Sequence, residues 1–161
     1  MKEAAPGGAG GANLTGAGAT FPYPIYSKWF DAYHQAKGVQ INYQSIGSGG
    51  GIQQLKARTV DFGASDAPLK PDDEKTMPGP VLHIPTVAGA VVVAYNLPES
   101  PKGLKLTGET IADIFLGKIK RWNDPAIAAL NAGMKLPDTS VVVAHRSDGS
   151  GTTNIFTSYL K

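Results

Sequence analysis

Glycine gathers where one hydrophobic periodicity gives way to another, and this constrains the fold more than any other feature of the chain. Gly16-Ala17-Gly18-Ala19-Thr20-Phe21 precedes a run of helical spacing, Gly47-Ser48-Gly49-Gly50-Gly51 precedes a second, and Ser150-Gly151-Thr152 opens a third directly after a β-rich run. With 20 Gly and 12 Pro in 161 residues, a helical bundle is disfavoured, since both residues weaken helix interiors. Apolar residues make up 42%, which is enough for a core and argues against disorder.

Between the breaks the elements alternate. Ile25, Tyr26, Trp29, Phe30 and Tyr33 recur at helical spacing before Gly38, so Pro24–Lys37 is expected to be an amphipathic helix with a glycine cap. Val39–Ile46 is expected as a strand, 47–51 as a sharp break, Ile52–Arg58 as a helix and Val60–Ala64 as a short strand. Residues 67–80 read as loop; Val81–Val87 and Ala90–Tyr95 read as buried strands. Glu109–Trp122 has an apolar stripe and a Thr107 cap, and Pro125–Asn131 is a short helix with proline in its first turn. Ser140–Ala144 is expected as a buried strand and Gly151–Leu160 as a helix. Helices alternating with continuous apolar strands imply an α/β fold with helices on both sheet faces.

Composition excludes several function classes. The chain has no Cys, so disulfides, thiolate metal sites and cysteine nucleophiles are excluded. His34, His83 and His145 are far apart and lack a zinc spacing. A formal charge of +2 gives no reason to expect nucleic acid as a partner. No apolar run is long enough to span a bilayer. Residues 1–12 are Gly/Ala-rich without an apolar core, so a flexible leader is expected and an export signal is not.

The three glycine breaks share one chemistry. Small residues admit close approach of a ligand, and a helix N-terminus offers unpaired N–H groups and partial positive charge, which suits an anion. Thr20, Ser48, Ser150 and Thr152 add hydroxyl donors. Ser48, Asp66, Arg146 and Ser150 each follow a predicted strand, so they can meet on one rim of an open sheet. Arg146 brings a planar cation suited to an oxyanion. Asp66 repels an anion unless that anion carries a proton to donate, as phosphate does near neutral pH and sulfate does not. Asp66-Ala67-Pro68 is also what an ordinary turn uses. No phosphate loop or dinucleotide fingerprint is complete, and Gly63-Ala64-Ser65-Asp66-Ala67 falls one residue short of a nucleophile elbow, which leaves a serine hydrolase using Ser65 or Ser150 as a remote reading.

At these same residues the sequence resembles a known family. Leu14 to Pro22, Asn42 to Gly51, Val60 to Pro68, Leu116 to Trp122 and Arg146 to Thr153 occur in the order found in the phosphate-binding proteins (PstS) of bacterial ABC transporters. The resemblance implies a periplasmic-binding-protein-like (type II) α/β fold of two lobes, with mixed sheets flanked by helices, that closes on phosphate and is not an enzyme. It implies phosphate ligands at Thr20, Phe21 (through its N–H), Ser48 and Asp66 from one lobe, and at Arg146, Ser150, Gly151 and Thr152 from the other. Asp148 is implied to pair with Arg146. No cofactor is implied; the partners are phosphate and a membrane permease, and the location is periplasmic or that of a cell-surface lipoprotein. Members of the family are about twice as long, so lobe one (13–86) is expected to lack a C-terminal return segment, lobe two (87–161) to be truncated, and the missing half to be a required partner. An engineered or split fragment that serves assembly or sensing, without binding phosphate alone, is the alternative.

Overall fold

The computed structural model describes residues 11–97 and 103–161; the expected leader falls outside it except for Gly11 and Ala12. The described chain divides into two compact units. The first comprises the described residues up to Gly89 together with Ser147–Ile155, and the second those within Ala90–Arg146 together with Phe156–Lys161.

The first unit is built on a parallel sheet of three strands, β1 (Asn13–Gly18), β2 (Gln40–Ser45) and β3 (Phe62–Ala64), in the order β2-β1-β3. Thr15 lies opposite Asn42, and Ala17 opposite Gly63. Helix α1 (Tyr23–Lys37) joins β1 to β2, and α2 (Ser48–Lys56) joins β2 to β3. α1 matches its expected span within one residue. Gly38 ends it at φ 70, its N–H donating to His34 O at 2.7 Å.

The central strand β1 is the one that sequence periodicity does not reveal. Its residues Asn-Leu-Thr-Gly-Ala-Gly carry little β-propensity. They form a strand because each side of the backbone has a partner and because the faces must be thin. A Cβ on Gly16 would collide with the Phe62 ring. A Cβ on Gly51 would lie 2.5 Å from Gly18 Cα and 2.6 Å from Ala17 O, so α2 crosses β1 backbone to backbone. For the same reason α2 begins at Ser48, not at Ile52 as expected: the glycine run is its first turn, where packing outweighs weak helix propensity.

On the α1 side the sheet is covered by rings. Tyr26 meets Tyr43 edge-on at 5.5 Å between centroids, and Phe30 meets Phe62 at 6.2 Å and 71°. Tyr43 stacks on Phe62 at 6.1 Å. Such offset and edge-on pairs add to the stabilisation from burial itself.

Residues 67–80 are not wholly loop. Pro71–Lys75 form α3, with proline in the first turn and Asp72, Asp73 and Glu74 facing the positive end of the helix. The expected strands Val81–Val87 and Ala90–Tyr95 are not formed in the described chain. Leu82 is 82% exposed and Val92 77%. A strand exists only through pairing, and no described segment pairs with either run.

The second unit packs α4 (Gly108–Phe115) and α5 (Pro125–Leu130) around Ile114, Ile119 and Ile127. Thr107 starts α4 through a reciprocal capping box with Thr110. α4 was expected to reach Trp122; it stops after Phe115, where Gly117 takes φ 72 and turns the chain. Beyond it Arg121 and Ser140 form an isolated antiparallel bridge. The expected strand Ser140–Ala144 is absent apart from that bridge, and Val142 is 87% exposed. α6 (Gly151–Tyr159) closes the chain, one residue shorter than expected.

Candidate functional site

The first unit brings three chain crossings to one place. β2 leads through Gly47, at φ 83, into the first residue of α2, so Ser48 stands at that helix N-terminus and is 4% exposed. β3 runs out into Ser65 and Asp66. Ser147–Thr152 leads into α6, whose first residue Gly151 is buried.

Asp66 is where they meet. Its N–H donates to Ser48 Oγ at 3.2 Å. Thr152 Oγ1 donates to Asp66 Oδ2 at 2.9 Å. The other carboxylate oxygen, Oδ1, is buried without a hydrogen-bond partner among the described residues. A buried acceptor left unmade is costly, more so when charged.

Gly151 makes this junction possible. A Cβ there would collide with Ser48 Oγ and come within 2.7 Å of Asp66 Cβ. Nearby, Gly49 N–H donates to Gly149 O at 2.9 Å, and the two glycine backbones touch. Ser150 caps α6, accepting from Thr153 N–H at 3.2 Å through its side chain. A cavity of about 210 Å³ opens beside these residues, lined by Ser48, Ser150 and Gly151 together with Ser65, Lys70 and Asn154 among others. The N-termini of α2 and α6 thus lie beside a carboxylate with one buried, unpartnered oxygen.

The structure joins Ser48, Asp66, Gly151 and Thr152 directly and places Ser150 next to them. Thr20 is exposed, with its carbonyl accepting from Tyr23 N–H at 3.3 Å. The Phe21 ring, 46% exposed, lies over Gly89, where a Cβ would sit 2.7 Å from it. Arg146 is exposed and belongs to the second unit, and its carbonyl faces His145 Nδ1 at 3.0 Å. Asp148 is exposed and belongs to the first unit. The Gly49–Gly149 contact was not anticipated from sequence; two glycines a hundred residues apart give no local signal of touching. Burial pushes the Tyr43 phenol well up, and the neighbouring Tyr26 and Asp66 add to the rise.

Other chemistries find less support. No group of three or more His, Asp or Glu side chains among the described residues is placed to hold a metal. No described helix is long and apolar enough to cross a membrane. The Ser65 hydroxyl accepts from Ala67 N–H at 3.3 Å, a local turn contact.

Comparison with known proteins agrees with this architecture. The family model for a PBP superfamily domain matches residues 3–161. A phosphate-binding protein PstS of Pasteurella multocida is 59% identical over 148 residues, 91% of this chain and 42% of that protein. The corresponding PstS of Haemophilus influenzae is 56% identical over 92% of this chain and 44% of its own length. The chain therefore spans less than half the length of these relatives. Among solved structures, one described as a phosphate ABC transporter substrate-binding protein with bound phosphate, from Clostridium perfringens, superposes with a TM-score of 0.67 at 24% identity, over 92% of this chain and 56% of that one. That likeness concerns the fold. A parallel α/β sheet with helices on it, a family match over nearly the whole sequence and PstS relatives above 50% identity converge on one conclusion: this chain belongs to the PBP superfamily and is similar, over less than half of their length, to the PstS phosphate-binding proteins.

Proposed function

We propose that the chain is the phosphate-binding N-terminal portion of the solute-binding component of an ABC phosphate importer. The observation that carries this reading is Asp66, whose Oδ2 is held by Thr152 and whose buried Oδ1 has no partner among the described residues. Placed beside the N-termini of α2 and α6, it suits an anion that brings its own proton. Phosphate has that proton near neutral pH and sulfate lacks it, so a sulfate oxygen would face the carboxylate unpaired. Relatives that carry the name phosphate-binding protein support the same assignment.

In this reading Ser48, Ser150, Gly151 and Thr152 donate to the anion, Thr20 and the Phe21 N–H join from the turn before α1, and Arg146, held by Asp148, supplies the cation. Residues 13–86 are assigned to one lobe and 87–161 to the start of the other, although Ser147–Ile155 packs in the compact unit of the first. Binding consists of replacing the hydration of the anion by fixed neutral donors and one guanidinium, followed by closure of the lobes. No bond is made or broken, so the protein acts as a carrier, not an enzyme. It works in the periplasm or as a cell-surface lipoprotein and delivers phosphate to a membrane permease. A segment corresponding to the C-terminal half of the relatives completes both lobes; the exposed Leu82, Ile84, Val92 and Val142 are the apolar surface it would cover.

Titration calorimetry on the chain completed by the C-terminal half of a PstS relative tests the reading. Saturable heat with phosphate and none with sulfate is expected. Equal heats from both anions would refute the role given to Asp66.

A further inference from the structure

We propose that Tyr43 is a positioning residue for the anion site, its hydroxyl fixing the turn that presents Thr20 and the Phe21 N–H. This rests on the phosphate-binding reading above, but the geometry behind it is independent. Tyr43 Oη donates to Ala19 O at 2.7 Å. The N–H of the same residue, Ala19, donates to Ala64 O at 2.8 Å. Ala19 is 1% exposed. Its two peptide groups are therefore held from opposite sides, one by a side chain of β2 and one by the end of β3. The Ala19–Thr20 peptide plane is fixed by the first of these contacts, and everything at Thr20 and Phe21 follows from that plane. Ala64 lies two residues before Asp66, so the clamp also sets the turn relative to the carboxylate.

The ring is as fixed as its hydroxyl. Tyr43 stacks on Tyr23, the first residue of α1, at 6.0 Å and 20°, and on Phe62 at 6.1 Å and 19°. Tyr26 meets it edge-on. Burial keeps the phenol protonated far above neutral pH, so it stays a donor. The hydroxyl reaches a carbonyl 24 residues away in sequence, at the turn before α1.

The test compares two single-atom deletions in one aromatic cluster. Tyr43→Phe removes the contact to Ala19. Tyr26→Phe removes a similar contact, to Thr86 Oγ1 at 2.8 Å, away from the turn. Both keep the ring, so both are expected to fold. Two readouts are taken on each: amide exchange at Thr20 and Phe21, and phosphate affinity by calorimetry. One neutral hydrogen bond corresponds to roughly three- to tenfold. Tyr43→Phe is expected to speed exchange at those two amides by about that factor and to weaken phosphate by a similar one. Tyr26→Phe is expected to change neither by more than about twofold. Equal effects of the two substitutions would mean a purely structural hydroxyl and would overturn the proposal. If the unsubstituted chain, completed by the C-terminal half of a PstS relative, takes up no phosphate, the functional reading fails by itself, and the exchange arm still decides the role of Tyr43.

Discussion

Two neighbouring glycines of α2 offer a controlled test of how this fold reaches its site. Gly50 and Gly51 share one helix and would gain the same propensity on becoming alanine, up to about 1 kcal/mol. Their surroundings differ. A Cβ on Gly50 would meet only the Ile46 side chain, 2.9 Å from Cδ1 and Cγ1. Ile46 is 41% exposed and can turn aside. A Cβ on Gly51 would meet backbone, Gly18 Cα at 2.5 Å and Ala17 O at 2.6 Å, nearly 1 Å inside ordinary contact at 3.4 Å. Neither atom can move without breaking β1 out of register. Overpacking of that kind costs about 1–3 kcal/mol. With the full propensity gain, Gly51→Ala is thus expected to lose up to about 2 kcal/mol net, while Gly50→Ala stays near neutral or gains slightly. In urea unfolding followed by circular dichroism, the midpoint should fall for Gly51→Ala at unchanged slope. A melting shift of roughly 2–4 °C per kcal/mol should accompany it at this chain length. Should the two variants agree within about 0.5 kcal/mol, the backbone contact between α2 and β1 would not be what fixes the helix, and the account of the glycine run would be wrong.

Three further outcomes are expected. Asp66→Asn should lower phosphate affinity by about tenfold or more, as a charge-assisted contact is lost, and should narrow the gap to sulfate; competition calorimetry checks both. Thr107→Ala should destabilise the second unit by about 1 kcal/mol, read as a lower urea midpoint, because the capping box with Thr110 is lost. Stability should decline as pH rises above 10: the Tyr43 phenol is raised from 10.0 in the folded chain, so the unfolded chain loses that proton first. Below pH 10 its contribution is fully present, and a series of urea midpoints from pH 8 to 11 should show a shallower fall for Tyr43→Phe than for the unsubstituted chain.

Local chemistry was legible in the sequence wherever one segment supplies both partners of an interaction. The spacing of Tyr26 and Phe30 and the glycine at 38 mark α1 and its end; Thr107 marks the start of α4, and Pro125 that of α5. Ser48, Asp66, Ser150 and Thr152 could be singled out because hydroxyls and a carboxylate stand at strand-to-helix junctions of small residues, and the family resemblance added Gly151. What could not be read was anything whose partner lies far along the chain. Val81–Val87, Ala90–Tyr95 and Ser140–Ala144 have the composition of buried strands, yet composition supplies only half of a pairing: the first two form no strand in the described chain, and the third pairs only at its start, through the Arg121–Ser140 bridge and the Val141 N–H to Lys120 O. Conversely β1 lacks strand propensity and is the centre of the sheet, because β2, β3 and the backbone of α2 all demand a thin strand there. The sequence alone determined which residues are able to cap, turn and donate. Only tertiary structure decided that Thr152, 86 residues from Asp66, donates to one carboxylate oxygen while the other stays open. Hydrogen bonds and steric contact act within a few ångströms of space, and distance along the chain does not report that separation.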